Sequence, residues 1–187
     1  MDNFSEQLVK KQYTGSDRIK TILTIVIGGL IALFFVVTSL LSLGSGLFAF
    51  VGMILAVGAA LVTFKMYRDT QIEYEYAYTN GELDIDKIIA QRKRSEMISV
   101  EVRKFTDFGR YNAETPEESA ETTVIMASDN IASHEYYADF PHEDYGSVRL
   151  VFSPDERMLE NIIKGLAGPL RKKLNSQNTQ EDRSGSD

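Results

Sequence analysis

Residues 21–43 read TILTIVIGGLIALFFVVTSLLSL and contain no charged side chain. A second uncharged run, GLFAFVGMILAVGAALVTF, follows at residues 46–64. As a helix rising about 1.5 Å per residue, each run is long enough to cross about 30 Å of hydrocarbon. The short connection leaves room only for an antiparallel return, so the sequence predicts a transmembrane helix hairpin.

Two other interpretations of these runs are less favoured. A secretory signal peptide usually has a shorter apolar stretch that ends at a small-residue cleavage site, and it is not followed at once by a second span. A pair of buried helices in a soluble protein would carry a polar stripe, whereas both runs are apolar on every face. We therefore expect a retained membrane anchor.

Basic residues set the predicted orientation of this anchor. Four of them lie within residues 10–20, before the first span, and Lys65 and Arg68 follow the second, whereas the connecting loop carries none. By the positive-inside rule, both termini are then cytoplasmic, and the chain is a two-pass protein of the cell (inner or plasma) membrane. Neither span contains an ionisable residue, so transport by one such subunit is not expected.

Small residues recur at four-residue intervals in both spans. They are Gly28 and Ala32 in the first span, and Gly52, Ala56 and Ala60 in the second. This spacing places small side chains on one helix face, which allows a close helix-helix contact. We expect the packing seam of the hairpin here; the alternative is a seam between copies in a homo-oligomer.

The net charge of −7 is unevenly distributed. Residues 1–68 carry six Lys or Arg and three Asp or Glu, which leaves fourteen against twenty-four, or −10, for the rest of the chain. A domain this acidic is repelled by nucleic-acid phosphates, so no nucleic-acid partner is expected. The chain has no cysteine, which excludes disulfides, thiolate metal sites and a cysteine nucleophile.

After the second span the apolar pattern changes to a period of two residues. Residues 71–79, QIEYEYAYT, place Tyr74, Tyr76 and Tyr78 on one face of a strand, and Asn80-Gly81 is a strong hairpin-turn signal. We expect these tyrosines in the core, the alternative being a ligand-lined groove. Five further strands are predicted, over residues 82–92, 97–105, 122–127, 135–140 and 147–152.

A C-terminal helix closes the predicted domain. Ser153 and Pro154 suit the start of a helix, and an apolar stripe continues to Leu174, with Gly168-Pro169 expected to kink or interrupt it. The expected organisation is a cytoplasmic N-terminal segment, two transmembrane helices, a soluble domain and a disordered polar tail. Their predicted ranges are residues 1–20, 21–43, 46–64, 70–174 and 175–187, respectively.

This arrangement resembles bacterial membrane-anchored proteins with a pleckstrin-homology-like (PH-like) domain. The stretch EYEYAYTNGELDIDKI, residues 73–88, is similar to the opening hairpin in a two-span family of Gram-positive anaerobes. The resemblance implies an α+β domain, an antiparallel β-barrel or sandwich capped by the helix over residues 154–174. It carries no catalytic residue set, and it points to scaffolding.

Candidate site residues are few. Arg92, Lys93 and Arg94 form a predicted basic turn that could bind lipid headgroups, although the neighbouring Glu96 favours an ordinary charged turn. His134 and His142 are eight residues apart, which matches no compact zinc motif, so no metal site is expected.

The sequence also lacks a GxSxG elbow and a glycine-rich phosphate loop, so we expect neither an enzyme nor a cofactor. The predicted function is a non-catalytic domain displayed at the cytoplasmic face of the lipid bilayer, binding a membrane or cytoplasmic protein. The alternative is a sensor of lipid or a small ligand, using the basic turn and the barrel mouth.

Overall fold

The computed structural model describes residues 4–42, 44 and 46–174. It contains two compact units: a helical unit over residues 13–72 and 89–92, and a β-rich unit formed by the remaining described residues. The chain thus passes from the β-rich unit into the helical unit twice, for residues 13–72 and briefly for residues 89–92.

The helical unit consists of α1, Gly15–Leu41, and α2, Gly46–Asp69. Thr14 caps α1 in a capping box, because its hydroxyl accepts from the Asp17 N–H while the Asp17 carboxylate accepts from the Thr14 N–H, each at 3.3 Å. Both helices extend beyond the predicted spans into the flanking polar residues: α1 begins six residues before its span, and α2 continues to Asp69.

Both helices are long and apolar enough to cross a membrane, and their most apolar 18-residue stretches have mean hydropathies of 2.6 and 2.5. In the most apolar stretch of each, none of α1 and 11% of α2 is buried. The core helix of a soluble protein would bury most of such a stretch. The exposed surface of this hairpin is therefore apolar on nearly all sides, as in a segment solvated by lipid.

The β-rich unit contains two four-stranded sheets. The strands are β1 Phe4–Lys10, β2 Ile72–Thr79, β3 Glu82–Ile89, β4 Lys93–Glu101, β5 Asp107–Arg110, β6 Thr123–Met126, β7 Tyr136–His142 and β8 Gly146–Phe152. The first sheet has the order β1-β2-β3-β4, and the second has the order β5-β7-β8-β6, in which β6 is parallel to β8.

An amphipathic helix, α3, Glu156–Gly165, follows β8, with Asp155 as its N-cap. Met158 and Ile162 on its apolar face are fully buried. The helix is interrupted at residues 166–167, just before the predicted position, and Gly168 and Pro169 are themselves in the helical stretch of residues 168–174. The predicted disordered tail lies outside the described residues.

Alternating apolar side chains fill the space between the two sheets. The predicted tyrosine stripe is confirmed as core, because Tyr74, Tyr76 and Tyr78 are at most 5% exposed. The rest of the core comes from both sheets, from the residues that follow β4 and from α3 and the residue after it, including Leu83, Ile85, Val102, Phe105, Phe108, Phe140, Val148, Leu150, Phe152 and Leu166.

The N-terminal segment differs from the prediction. Residues 1–20 were expected to be a separate cytoplasmic segment, but residues 4–10 form β1, antiparallel to β2 from Phe4↔Thr79 to Lys10↔Glu73. The inward face of β1 carries the polar side chains of Ser5 and Gln7, so the alternating apolar pattern that identifies a half-buried strand is missing.

Two other elements also differ from the sequence prediction. The turn between β3 and β4 lies at Ala90 and Gln91, with φ of 53° and 55°, so Lys93 and Arg94 begin β4 instead of forming the turn. Neither Ala nor Gln is a residue that signals a left-handed turn. Residues 107–110, where the sequence predicts no strand, form the short strand β5.

Candidate functional site

The predicted basic turn is only partly available for a ligand. Arg94 donates from Nη2 to Glu75 Oε1 at 2.5 Å and from Nε to Asp86 Oδ2 at 2.6 Å, so two neighbouring strands hold its guanidinium. The hydrogen bond to Asp86, followed by the charge of Glu75, raises the pKa of Arg94 above its ordinary value. Arg92 and Lys93 are exposed and form no ion pair with another described residue.

The two histidines are not brought together. His134 Nδ1 lies 3.1 Å from Asp129 Oδ2, whereas His142 Nδ1 accepts from the backbone N–H of Asp144 at 3.1 Å, and its ring lies 5.0 Å from that of Tyr145. In the part of the chain that the structure describes, no three His, Asp or Glu side chains are placed to hold a metal ion.

Asp129 joins a serine and a histidine in one hydrogen-bonded group. Ser153 Oγ donates to Asp129 Oδ1 at 2.8 Å, and His134 contacts the other carboxylate oxygen. Partial burial alone would raise the pKa of Asp129, but hydrogen bonds from the Ile131 N–H, Ser153 and His134 hold this pKa below its usual value. Because the carboxylate separates the serine from the histidine, the imidazole cannot take the serine proton, and the group is not a nucleophilic triad.

Tyr76, which shares Ser153 with this group, connects the two sheets. Its hydroxyl donates to the Ala127 carbonyl and accepts from the Ser153 N–H at 3.2 Å. Burial raises the pKa of Tyr76. The adjacent Ser128 donates to Glu135 Oε1 at 2.6 Å, so this buried polar region is internally satisfied.

Arg149 attaches the acidic segment of residues 112–121 to the second sheet. Its side chain is 4% exposed, and it binds both oxygens of Asp139, at 2.7 and 2.6 Å. A third donor, Nη1, reaches the Pro116 carbonyl at 2.6 Å, and the guanidinium lies 5.0 Å from the centre of the Tyr137 ring. The segment is therefore anchored at its middle, on the outer side of β7 and β8.

The short strand β6 is a surface whose exposure the sequence did not indicate. It was predicted as a strand over residues 122–127, but periodicity alone did not show its position in the sheet. It lies at the edge of the second sheet, directly after the acidic segment, and the apolar side chains of Val124 and Met126 are 38% and 42% exposed. The feature of the sequence that could have indicated an exposed edge is that a short apolar strand directly follows a run of acidic residues.

Residues 1–168 match the family described as bacterial PH-like domain, DUF6106. The chain belongs to this family. No curated protein and no solved structure gives a significant match.

The family match explains two features of this PH-like protein. It includes β1, so the N-terminal strand is part of the family pattern, and it also includes both apolar helices. The expected PH-like fold of two sheets with C-terminal helical segments is present.

In the helical unit of this PH-like protein, the five predicted small residues occupy different environments. A Cβ atom added to Gly28 would overlap with Oγ1 of Thr63, and one added to Gly52 would lie 2.9 Å from the Cβ of Ser39. Both glycines therefore mark close helix contacts.

The other three small residues differ in how far they are buried. Ala56 is buried at 5% exposure, Ala32 is half-buried, and Ala60 is exposed. With 3.6 residues per turn, a strict four-residue repeat drifts off the contact face, so the position after Ala56 in the seam is the half-buried Ala59.

Proposed function

We propose that this chain is an integral protein of the cell membrane that displays a non-catalytic PH-like domain at the cytoplasmic face, where it acts as a scaffold for a protein partner. The observation that carries the proposal is the pairing of β1 with β2 on either side of the apolar hairpin. Lys10 is the partner of Glu73 in this ladder, and both apolar helices lie between them in the chain.

This pairing supports an even number of membrane crossings. Two strands that share hydrogen bonds lie on one side of a bilayer, so the segments before α1 and after α2 are on the same side. The basic residues that flank the hairpin favour the cytoplasmic side.

The connections to the helices are short, which supports a scaffold role. Residues 11–14 join β1 to α1, and residues 70 and 71 join α2 to β2. Short connections limit how far a domain can move from its membrane anchor, and tethering of this kind raises the effective concentration of the domain toward other membrane proteins.

The lipid-sensor alternative has less support. Arg94 is engaged by two carboxylates, and the residues after Arg68 carry a net charge of −10, which disfavours anionic headgroups. An enzyme is also less supported, because Asp129 separates Ser153 from His134.

Cysteine labelling tests the topology directly, because the chain has no cysteine of its own. Gly44→Cys lies between the helices, and Ser95→Cys lies in β4 at an exposed position. In intact cells, a membrane-impermeant maleimide should label position 44 and leave position 95 unlabelled until the membrane is opened. Labelling of position 95 in intact cells would contradict the proposed orientation, and release of the protein by alkaline carbonate would contradict membrane integration.

A further inference from the structure

The free edge of β6 has unpaired backbone groups. Among the described strands, β6 pairs only with β8, in parallel, and the Ala127 N–H just beyond it donates to the Val151 carbonyl at 2.8 Å. Successive residues of a strand direct their N–H and C=O groups to opposite sides. The backbone groups of Val124 and Met126 therefore point away from β8, toward the free edge.

The edge strand β1 of the first sheet differs from β6, because side chains of α3 contact it. Arg157 of α3 donates to the Phe4 carbonyl at 3.4 Å, and Ser5 contacts the Met158 sulfur at 3.8 Å. At β6, by contrast, the backbone edge and the side chains of Val124 and Met126 are exposed together. An exposed apolar edge strand is a template for the addition of a further strand.

Exposed carboxylates surround the start of β6. Glu117 and Glu121 precede it in the chain, and Glu143 and Asp144 lie in the turn between β7 and β8. That turn is close to the strand, because Thr123 Oγ1 donates to the Tyr145 carbonyl at 3.3 Å. None of these four carboxylates forms an ion pair with another described residue, so no described cation neutralises the negative charge beside the edge.

We propose that the free edge of β6 binds an extended segment of a partner protein that carries basic and apolar residues, by addition of a strand to the second sheet. This inference rests on the proposed scaffold function and gives the chemistry of its partner. Backbone hydrogen bonds to Val124 and Met126 supply the docking register, and Lys or Arg side chains of the partner complement the acidic flank.

A second copy of this chain is disfavoured as the occupant. Pairing of two β6 edges would bring two domains of net negative charge together, each with the same acidic segment beside the contact, and like charges at close range oppose association. A basic segment has the opposite sign.

The test uses the full chain in zwitterionic nanodiscs and a fluorescent heptapeptide of alternating Lys and Val. Its control peptide has the same charges, with Pro at each Val position, so it cannot donate backbone hydrogen bonds from those positions. Fluorescence anisotropy should show binding of the Lys-Val peptide that is at least about tenfold tighter than binding of the control, since strand addition needs those donors. Equal binding of the two peptides would overturn strand addition.

Variants of the protein separate the edge from the acidic flank. Val124→Lys places a positive charge at the edge, which repels the Lys side chains of the peptide, and should weaken binding of the Lys-Val peptide about tenfold. Glu121→Gln/Glu143→Gln should weaken it severalfold and reduce its salt dependence, whereas the matched pair Glu6→Gln/Glu96→Gln, at exposed positions of the first sheet, should not.

Amide hydrogen exchange gives the register. Bound peptide should slow exchange at Val124 and Met126 and leave Ile125, which faces β8, unchanged. Unchanged exchange at both edge amides, or dimerisation of the protein that Val124→Lys abolishes, would overturn the inference. Because cysteine labelling reports membrane topology without the peptide, a correctly inserted protein that ignores the peptide would refute this inference and leave the proposed membrane display standing.

Discussion

Lys10 and Glu73 face each other across the first two strands, with Lys10 Nζ 3.5 Å from Glu73 Oε1, although residues 11–72 and both apolar helices separate them in the chain. The first sheet thus contains chain from both sides of the hairpin. The consequences of this arrangement can be tested one contact at a time.

Gln7 connects β1 to the start of α3. Its side-chain amide donates to the Ser153 carbonyl at 3.0 Å and its carbonyl accepts from the Asp155 N–H at 2.8 Å. Gln7→Ala removes both hydrogen bonds and should lower the free energy of unfolding by about 1–2 kcal/mol, measured by denaturant titration in detergent. The neighbouring Glu6→Ala, at an exposed position, should change the free energy of unfolding by less than about 0.5 kcal/mol. Equal effects of the two substitutions would show that the Gln7 hydrogen bonds do not stabilise the position of β1.

The buried hydroxyl of Tyr76 should contribute to the stability of the β-rich unit. Tyr76→Phe keeps the ring but leaves the Ala127 carbonyl and the Ser153 N–H without their partner. We expect a loss of about 1–3 kcal/mol in the free energy of unfolding. Tyr145→Phe, at an exposed position, serves as the control, and a Tyr76→Phe protein as stable as the native chain would mean that water replaces the hydroxyl.

Stability should fall at alkaline pH. Burial raises the pKa of Tyr76, and burial together with the hydrogen bond to Asp107 raises that of Tyr137, so both groups hold protons more tightly when folded. An acid with a raised pKa contributes stability that is complete below its unfolded pKa and is lost as pH rises toward its folded pKa. The free energy of unfolding, measured by denaturant titration followed by near-ultraviolet circular dichroism, should therefore decrease as the pH rises above about 10. In the Tyr76→Phe protein, this decrease with pH should be less steep. A slope unchanged in that variant would exclude Tyr76 as a source.

Two adjacent glycines in α1 provide a matched pair for the hairpin. A methyl group at Gly28 would clash with Thr63, whereas one at Gly29 would meet nothing within 4 Å. Gly28→Ala should destabilise the hairpin by about 1–3 kcal/mol, while Gly29→Ala should be neutral or slightly stabilising. Thermal unfolding of the full chain in detergent measures both, and a shared response would contradict a close contact at Gly28.

The sequence predicted those parts of the fold whose physical signal is local. The uncharged runs, the tyrosine alternation of β2 and the Asn80-Gly81 turn each depend on residues close together in the chain. β1 carries no such signal, because Ser5 and Gln7 face inward and find partners more than 140 residues away, at Met158, Ser153 and Asp155. A polar side chain satisfied by a distant partner cannot be recognised from periodicity.

The candidate surfaces were less predictable for the same reason. Arg94 appeared to belong to a free basic turn because Glu75 and Asp86, its partners, are close only after the strands pair. The importance of β6 depends on its position at a sheet edge, which topology sets. Ala60 was placed in the seam by an exact four-residue repeat that a helix of 3.6 residues per turn does not keep.

The insertion of the hairpin between β1 and β2 also fixes an order of events during synthesis. β1 is made first, but β2 emerges only after α1 and α2 are complete, so the first sheet stays unfinished until both apolar helices have been translated. In the proposed two-pass topology, an α2 that failed to return across the bilayer would place β1 and β2 on opposite sides, where they could not pair. Completion of the first sheet would then require correct insertion of both helices.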